Sequence, residues 1–176
     1  MSTPAPEVLQ THRMTGERLR PDHATELARL LLDRRVFRTL WPFSAPPTEA
    51  DVVDGLARSG EDWERHGFGL WLLRDRVGGE AIGRGGLQLS EDDGANLTEV
   101  AWMIAPERWG QGLATELAHA AVDVAFGTLD LDEVVALTLV DNLASRRVME
   151  KAGFEFEREI VKAGLPHVLC RRGRAA

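Results

Sequence analysis

The stretch that decides the fold reads Pro106-Glu107-Arg108-Trp109-Gly110-Gln111-Gly112-Leu113-Ala114-Thr115-Glu116. Before it, residues 98–104 read as a strand; after it, Leu113, Leu117, Ala120, Ala121 and Val124 recur at helical spacing along one apolar stripe. The first amides of a helix have no carbonyl one turn back, so they stay unsatisfied and carry partial positive charge. Gly110 and Gly112 let the main chain come close to a ligand with no Cβ in the way, and small Ala114 keeps the first turn open. Such a junction suits phosphates; two glycines also make a tight turn, and on these residues alone the two readings stand level. A dinucleotide fingerprint is the weaker competitor, because it wants Gly or Ala where Thr115 stands and belongs to an early βαβ unit. The Gly-Lys-Ser/Thr triplet of a nucleotide-hydrolysing loop occurs nowhere in the chain.

Working outward, the Pro-rich start predicts a flexible tail over residues 1–12, and a short extended piece follows around Arg18-Leu19-Arg20. Ala24, Leu27, Leu30 and Leu31 predict a first amphipathic helix, and the aromatic, Pro-broken residues 37–47 a loop. Thr48 with Asp51 three residues on resembles a capping box, opening a second helix that carries Val52, Val53, Leu56 and Trp63. From Gly67 the period changes: Phe68, Leu70 and Leu72 alternate up to Val77-Gly78-Gly79, which predicts a hairpin. Strands over 81–89 and 98–104 follow, then the helix after Gly112, a buried strand over 134–140, and a helix over 144–151 that Gly153 ends. Closing strands lie near 154–160 and 168–171. The sum is an α+β fold: helices first, an antiparallel meander, then a strand-helix-strand crossover that makes the sheet mixed.

A second stretch lies downstream of the first: Asn142-Leu143-Ala144-Ser145-Arg146-Arg147-Val148-Met149-Glu150-Lys151-Ala152-Gly153-Phe154. With residues 106–116, in that order, it resembles the GNAT superfamily of N-acetyltransferases, and within it the ribosomal-protein N-terminal acetyltransferase, or RimJ/RimL-type, branch. The resemblance implies one acyltransferase domain over residues 13–173, with a mixed, mostly antiparallel central sheet of six or seven strands and about four helices. Two central strands would splay apart to form a cleft for acetyl-CoA. It implies that Arg108, Trp109, Gly110, Gln111, Gly112, Leu113, Ala114 and Thr115 wrap the pyrophosphate. The edge carrying Trp102, Met103 and Ile104 would pair with the pantetheine amides, Asn142 would hydrogen-bond that arm, and Ser145 and Arg147 of the second stretch would complete the cofactor site. The sequence departs from the family at Glu107, which lends nothing to a phosphate. Met149 stands where many members carry a Tyr acid, and the chain has no Tyr at all.

An amine attacks a thioester only with a free lone pair. At neutral pH a Lys-type amine costs about 4 to 5 kcal/mol to deprotonate and an α-amine about 1, so a chain terminus is the easier acceptor. Glu99, on the strand that should flank the thioester, is the candidate general base, against the plainer reading of a solvated strand residue. Glu116 is a weaker candidate, because the helix dipole already explains a first-turn carboxylate. Ser145 is the nearest donor for the departing sulfur, or else a helix cap. The reading is thus direct acetyl transfer in a ternary complex to a primary amine, a protein N-terminal α-amine favoured. A small polyamine, aminoglycoside or amino-acid-like acceptor is the alternative, as is a CoA-binding module that has lost catalysis.

Composition sets the outer bounds. A chain of 176 residues with 44% hydrophobic and 28% charged side chains fits one ordinary globular domain. Its net charge of −7 repels nucleic acid and mildly favours cationic acceptors. Cys170 is single, so an intrachain disulfide or a Cys-rich metal site is excluded and a reducing cytoplasm expected. No leader or spanning run is visible, no partner membrane is expected, and a homodimer stays open. His12, His23, His66, His119 and His167 show no ligand spacing, so no metal is expected. Arg171, Arg172 and Arg174 read as a solvated terminus more readily than as a nucleic-acid arm. Trp41, Phe43, Trp63, Trp71 and Trp102 could cage a cationic acceptor, with core packing the commoner role.

Overall fold

The computed structural model describes residues 3–40 and 45–174. Its strands are β1 (Val8–Gln10), β2 (Met14–Arg18), β3 (Leu70–Asp75), β4 (Ala81–Asp92), β5 (Ala95–Ile104), β6 (Glu133–Leu139), β7 (Glu155–Lys162) and β8 (Leu165–Gly173). Its helices are α1 (Ala24–Leu31), α2 (Arg34–Leu40), α3 (Glu49–His66), α4 (Leu113–Asp123) and α5 (Leu143–Lys151). All eight strands form one sheet in the order β1-β2-β3-β4-β5-β6-β8-β7. Every pairing is antiparallel except β5 with β6, which is parallel and registers at a single pair, Glu99 with Val135.

The α+β class and the mixed sheet agree with the sequence reading, while eight strands replace six or seven and five helices replace about four. One extra strand comes from the segment expected as a loose tail. Val8–Gln10 pairs with β2, Ala5 donates its N–H to the carbonyl of Gly67 at 2.7 Å, and Ala5 and Leu9 are buried beside Trp71. A Pro-rich composition cannot reveal a partner strand that the rest of the chain supplies. The extra helix is α2, which starts before the stretch expected as a loop and runs into it over residues 37–40. Asp33 accepts the N–H of Arg35 through Oδ1 at 2.8 Å and so starts the turn, and Val36 and Phe37 are buried. The prolines that suggested a loop all lie at position 42 or beyond.

The capping box of α3 is formed as read: the Thr48 side chain accepts from the Asp51 N–H, and Asp51 accepts from the Thr48 N–H at 2.7 Å. The two larger of three apolar clusters lie on the two faces of the sheet. On one face Leu117, Ala118 and Ala121 of α4 and Met149 of α5 pack on Val100, Ile104 and Val134. On the other, Leu27, Leu31, Val36 and Leu56 from α1 to α3 cover Leu70, Leu72 and Met103. Gly85 sets how closely α4 approaches β4, since a Cβ there would lie 2.5 Å from Leu117 Cδ2.

Candidate active site

Beyond Glu99 and Val135 the parallel pairing stops and β5 and β6 diverge, opening a cleft of about 580 Å³. The edge of β5 toward β6 is therefore unpaired past Glu99, where Trp102, Met103 and Ile104 were expected to meet a ligand. All three line the cleft, although the Ile104 carbonyl already accepts the Trp109 indole N–H at 2.7 Å.

The mouth of the cleft is the junction from which the sequence reading began. Gly110 and Gly112 have φ of 75° and 78°, the left-handed region in which side-chain-bearing residues are strained. Gly112 is the N-cap of α4 and no side chain caps the helix. The first amide to return to the helix is Glu116, bonded to the Gly112 carbonyl at 3.0 Å. Among the described residues the N–H groups of Gly110, Gln111, Gly112, Leu113, Ala114 and Thr115 find no acceptor. Six adjacent donors on a helix N-terminus make a concave anion site.

Remote residues hold that junction in shape. Arg108 was expected to face the pyrophosphate, and although it lines the cleft its guanidinium is ion-paired with Asp75 and, at 3.1 Å, with Glu80. Arg13 donates to the Gln111 carbonyl at 2.7 Å, and its backbone N–H and Nε bind the two oxygens of Glu116 at 2.8 and 2.7 Å. Glu116 is thus a brace and not part of the cleft. Burial works to raise its carboxyl, but bonds from Thr11 and Arg13 outweigh that and leave it below the usual range. Neither Arg13 nor Asp75 was legible, because each lies far from residues 108–112 in sequence and only folding makes them neighbours. Glu107 likewise turns away from the cleft to pair with Arg35 of α2.

The Asp75 carboxyl accepts from the Gly78 and Val77 amides and from Arg108, which together hold it at about 2 against an ordinary 3.8. A depressed carboxyl contributes stability that is whole above its unfolded value and is lost as pH falls through its folded one. Asp75→Asn is therefore expected to lower the Tm at neutral pH. The gap from the native protein, widest above 3.8, should close as pH approaches about 2; a gap independent of pH would show that the carboxylate charge is not what holds Arg108.

At the vertex of the cleft Glu99 is 6% exposed, which removes the reading of a solvated strand residue. Its Oε2 accepts from Gln88 Nε2 at 3.1 Å and lies 3.6 Å from Lys162 Nζ, which also bonds Ser90. Its Oε1 has no hydrogen-bond partner among the described residues. Gln88, directly opposite Glu99 on β4, and Lys162 of β7 were not singled out from sequence.

On the far wall, Asn142 Oδ1 accepts the Ser145 N–H at 3.2 Å, so Asn142 and not Ser145 caps α5. The Ser145 hydroxyl has no partner among the described residues and lines the cleft, as do Asn142, Arg147 and Lys151. Met149, at the position of the missing Tyr, is 1% exposed in the core. Trp63 and Trp71 are core as well, stacked edge to face with centroids 5.7 Å apart, while Trp41 and Phe43 lie outside the described residues. Trp102 alone of the five lines the cleft among the described residues. No group of His, Cys, Asp or Glu there could hold a metal ion, and no described helix is long and apolar enough to cross a membrane.

Comparison with known proteins agrees with this geometry. The family described as Acetyltransferase (GNAT) domain matches residues 13–155. An uncharacterized Bacillus subtilis protein, YkkB, is 32% identical over 107 residues, 61% of this chain, and the match spans 62% of that relative's length. The putative ribosomal N-acetyltransferase YdaF, also from Bacillus subtilis, is 31% identical over 143 residues, covering 77% of this chain and 74% of the relative. A putative GnaT-family acetyltransferase from Bordetella pertussis superposes with a TM-score of 0.83 at 26% identity, over 96% of this chain and 100% of that one.

Proposed function

The chain belongs to the GNAT acetyltransferase family, whose members take acetyl-CoA as cosubstrate, and from that premise we propose that it acetylates the α-amine of a protein or peptide N-terminus. The observation that carries the reading is the row of six amides, unpaired among the described residues, at the mouth of a cleft that ends on a buried carboxylate. The amides would take the diphosphate, and the open edge of β5 the pantetheine arm, which brings the thioester toward Glu99. The amine nitrogen attacks the thioester carbonyl carbon, the carbon–sulfur bond breaks, and CoA leaves as a thiolate. Glu99 Oε1, its free oxygen, would take the proton from the amine. The Ser145 hydroxyl would donate to the departing sulfur, Met149 having nothing to give. An α-amine suits this modest equipment, since freeing its lone pair at neutral pH costs only about 1 kcal/mol. The YdaF relative is named as a putative ribosomal N-acetyltransferase, which supports a protein acceptor.

Thiol release from acetyl-CoA, followed with N-terminal peptides, polyamines and aminoglycosides, tests the reading. Peptides with free α-amines should turn over fastest and N-blocked ones not at all. Turnover confined to small amines would move the acceptor class, and acetyl-CoA binding without turnover on any amine would leave a binding module. Ser145→Ala should lower kcat about tenfold, the loss of one hydrogen bond to a charged group, with acetyl-CoA affinity kept; equal kcat would remove the hydroxyl from the reaction.

A further inference from the structure

Two guanidiniums that line the cleft, Arg84 and the exposed Arg147 of α5, have no partner among the described residues, and Arg84 is the less exposed of the two. Arg84 lies on β4 between Leu72 of β3 and Met103 of β5 in register. Both neighbours belong to the core under α1 to α3, so Arg84 projects from the sheet face opposite α4. It lines the cleft together with Thr39 and Leu40 of α2. Among the described residues it makes no ion pair and no hydrogen bond. Burial alone acts on it, pushing it down to about 10. The side chain is half-buried; a partly desolvated cation without a counter-charge is costly in a folded chain, and a ligand anion is what would offset it.

The surroundings agree in sign. The cleft is lined by Arg84, Arg108, Arg147, Lys151 and Lys162 against one carboxylate, Glu99, in a chain whose net charge is −7. Arg108 and Lys162 are ion-paired, whereas Arg147 and Lys151 lie on α5, the wall away from Arg84. Gln88 and Glu99 oppose each other on the same face as Arg84, four residues along β4, which is about 13 Å of strand. Arg84 thus shares the amine's side of the cleft, while the diphosphate amides belong to α4 on the other face.

We propose that Arg84 binds a carboxylate of the acceptor, so that the substrate is a carboxylate-bearing amine: an amino acid, or a peptide with an acidic residue beside its N-terminus. Polycationic amines meet like charge there and are disfavoured. This rests on reading the cleft as an acetyltransferase site.

The test compares matched acceptors that differ only in charge, each amino acid with its carboxamide and each Asp- or Glu-bearing peptide with its Asn or Gln counterpart. The native protein, Arg84→Gln and Arg84→Lys are compared by kcat/KM and by calorimetric binding of the acceptors in the presence of CoA. The native protein should prefer the carboxylate about 10- to 100-fold, the worth of a charge-assisted bond. Arg84→Gln should erase that preference and Arg84→Lys keep part of it, with acetyl-CoA affinity shifting less than about threefold. The arm that shows the preference, amino acid or peptide, identifies the source of the carboxylate. A native protein without preference, a preference that survives Arg84→Gln, or a parallel loss of acetyl-CoA affinity would each overturn the proposal. The binding arm reads the preference even if no acceptor releases thiol, a result that would instead sink the acetyltransferase reading.

Discussion

Gly112→Val is expected to weaken acetyl-CoA binding a hundredfold or more, measured by calorimetry on the folded variant. Gly112 holds φ of 78° as the N-cap of α4, and a β-branched residue is strained there by about 1 to 2 kcal/mol. If the backbone relaxes to relieve that strain, the amides on either side no longer converge. If it does not, the isopropyl group occupies the space a diphosphate must enter, since the nearest protein atom to a Cβ there is Arg13 Nη2 at 3.6 Å. Each hydrogen bond to a charged group contributes about 1.5 to 3 kcal/mol, so losing two suffices for the expected fall. Strain alone would lower the Tm by a few degrees and leave affinity intact. Native-like affinity in a folded variant would show that the junction does not hold the cofactor.

Glu99→Gln should lower kcat about a hundredfold at neutral pH, the ordinary worth of a positioned general base, while acetyl-CoA affinity stays near the native value. Glutamine keeps the shape and can still meet Gln88, so the change isolates the loss of a proton acceptor. The deficit should shrink as pH rises toward the pKa of the acceptor amine, because a larger share of the amine then arrives deprotonated and needs no base. Parallel pH profiles for the two proteins would assign Glu99 a structural role beside Lys162, which lies 3.6 Å from its Oε2.

The charge of the chain and the charge of its cleft have opposite signs, which shows the limit of composition as evidence. The net −7 favours cationic acceptors when it is spread over a featureless surface. In the folded chain the acids sit largely outside: Glu107 holds Arg35, Glu116 holds Arg13, and Asp75 holds Arg108, while Arg84, Arg147 and Lys151 line the cleft with no ion pair among the described residues. Sequence distance hid the same pairs, for Arg13 reaches Gln111 across 98 positions. Ser145 and Asn142 differ for a local reason. Both can cap a helix, and only the backbone settled that Asn142 does so, leaving the Ser145 hydroxyl without a partner among the described residues.

What the linear chain determined by itself is whatever depends on neighbours a few residues apart: the hairpin of β3 and β4, the caps of α3, and the two glycines between a strand and a helix. Those effects act through local backbone geometry and need no distant partner. Folding alone decided how far β5 and β6 part, which carboxylate is buried at the vertex, and which cations face the cleft without an ion pair among the described residues. Each of these is a property of surfaces brought together from opposite ends of the chain, where burial and counter-charge, and not residue type, set what a side chain can do.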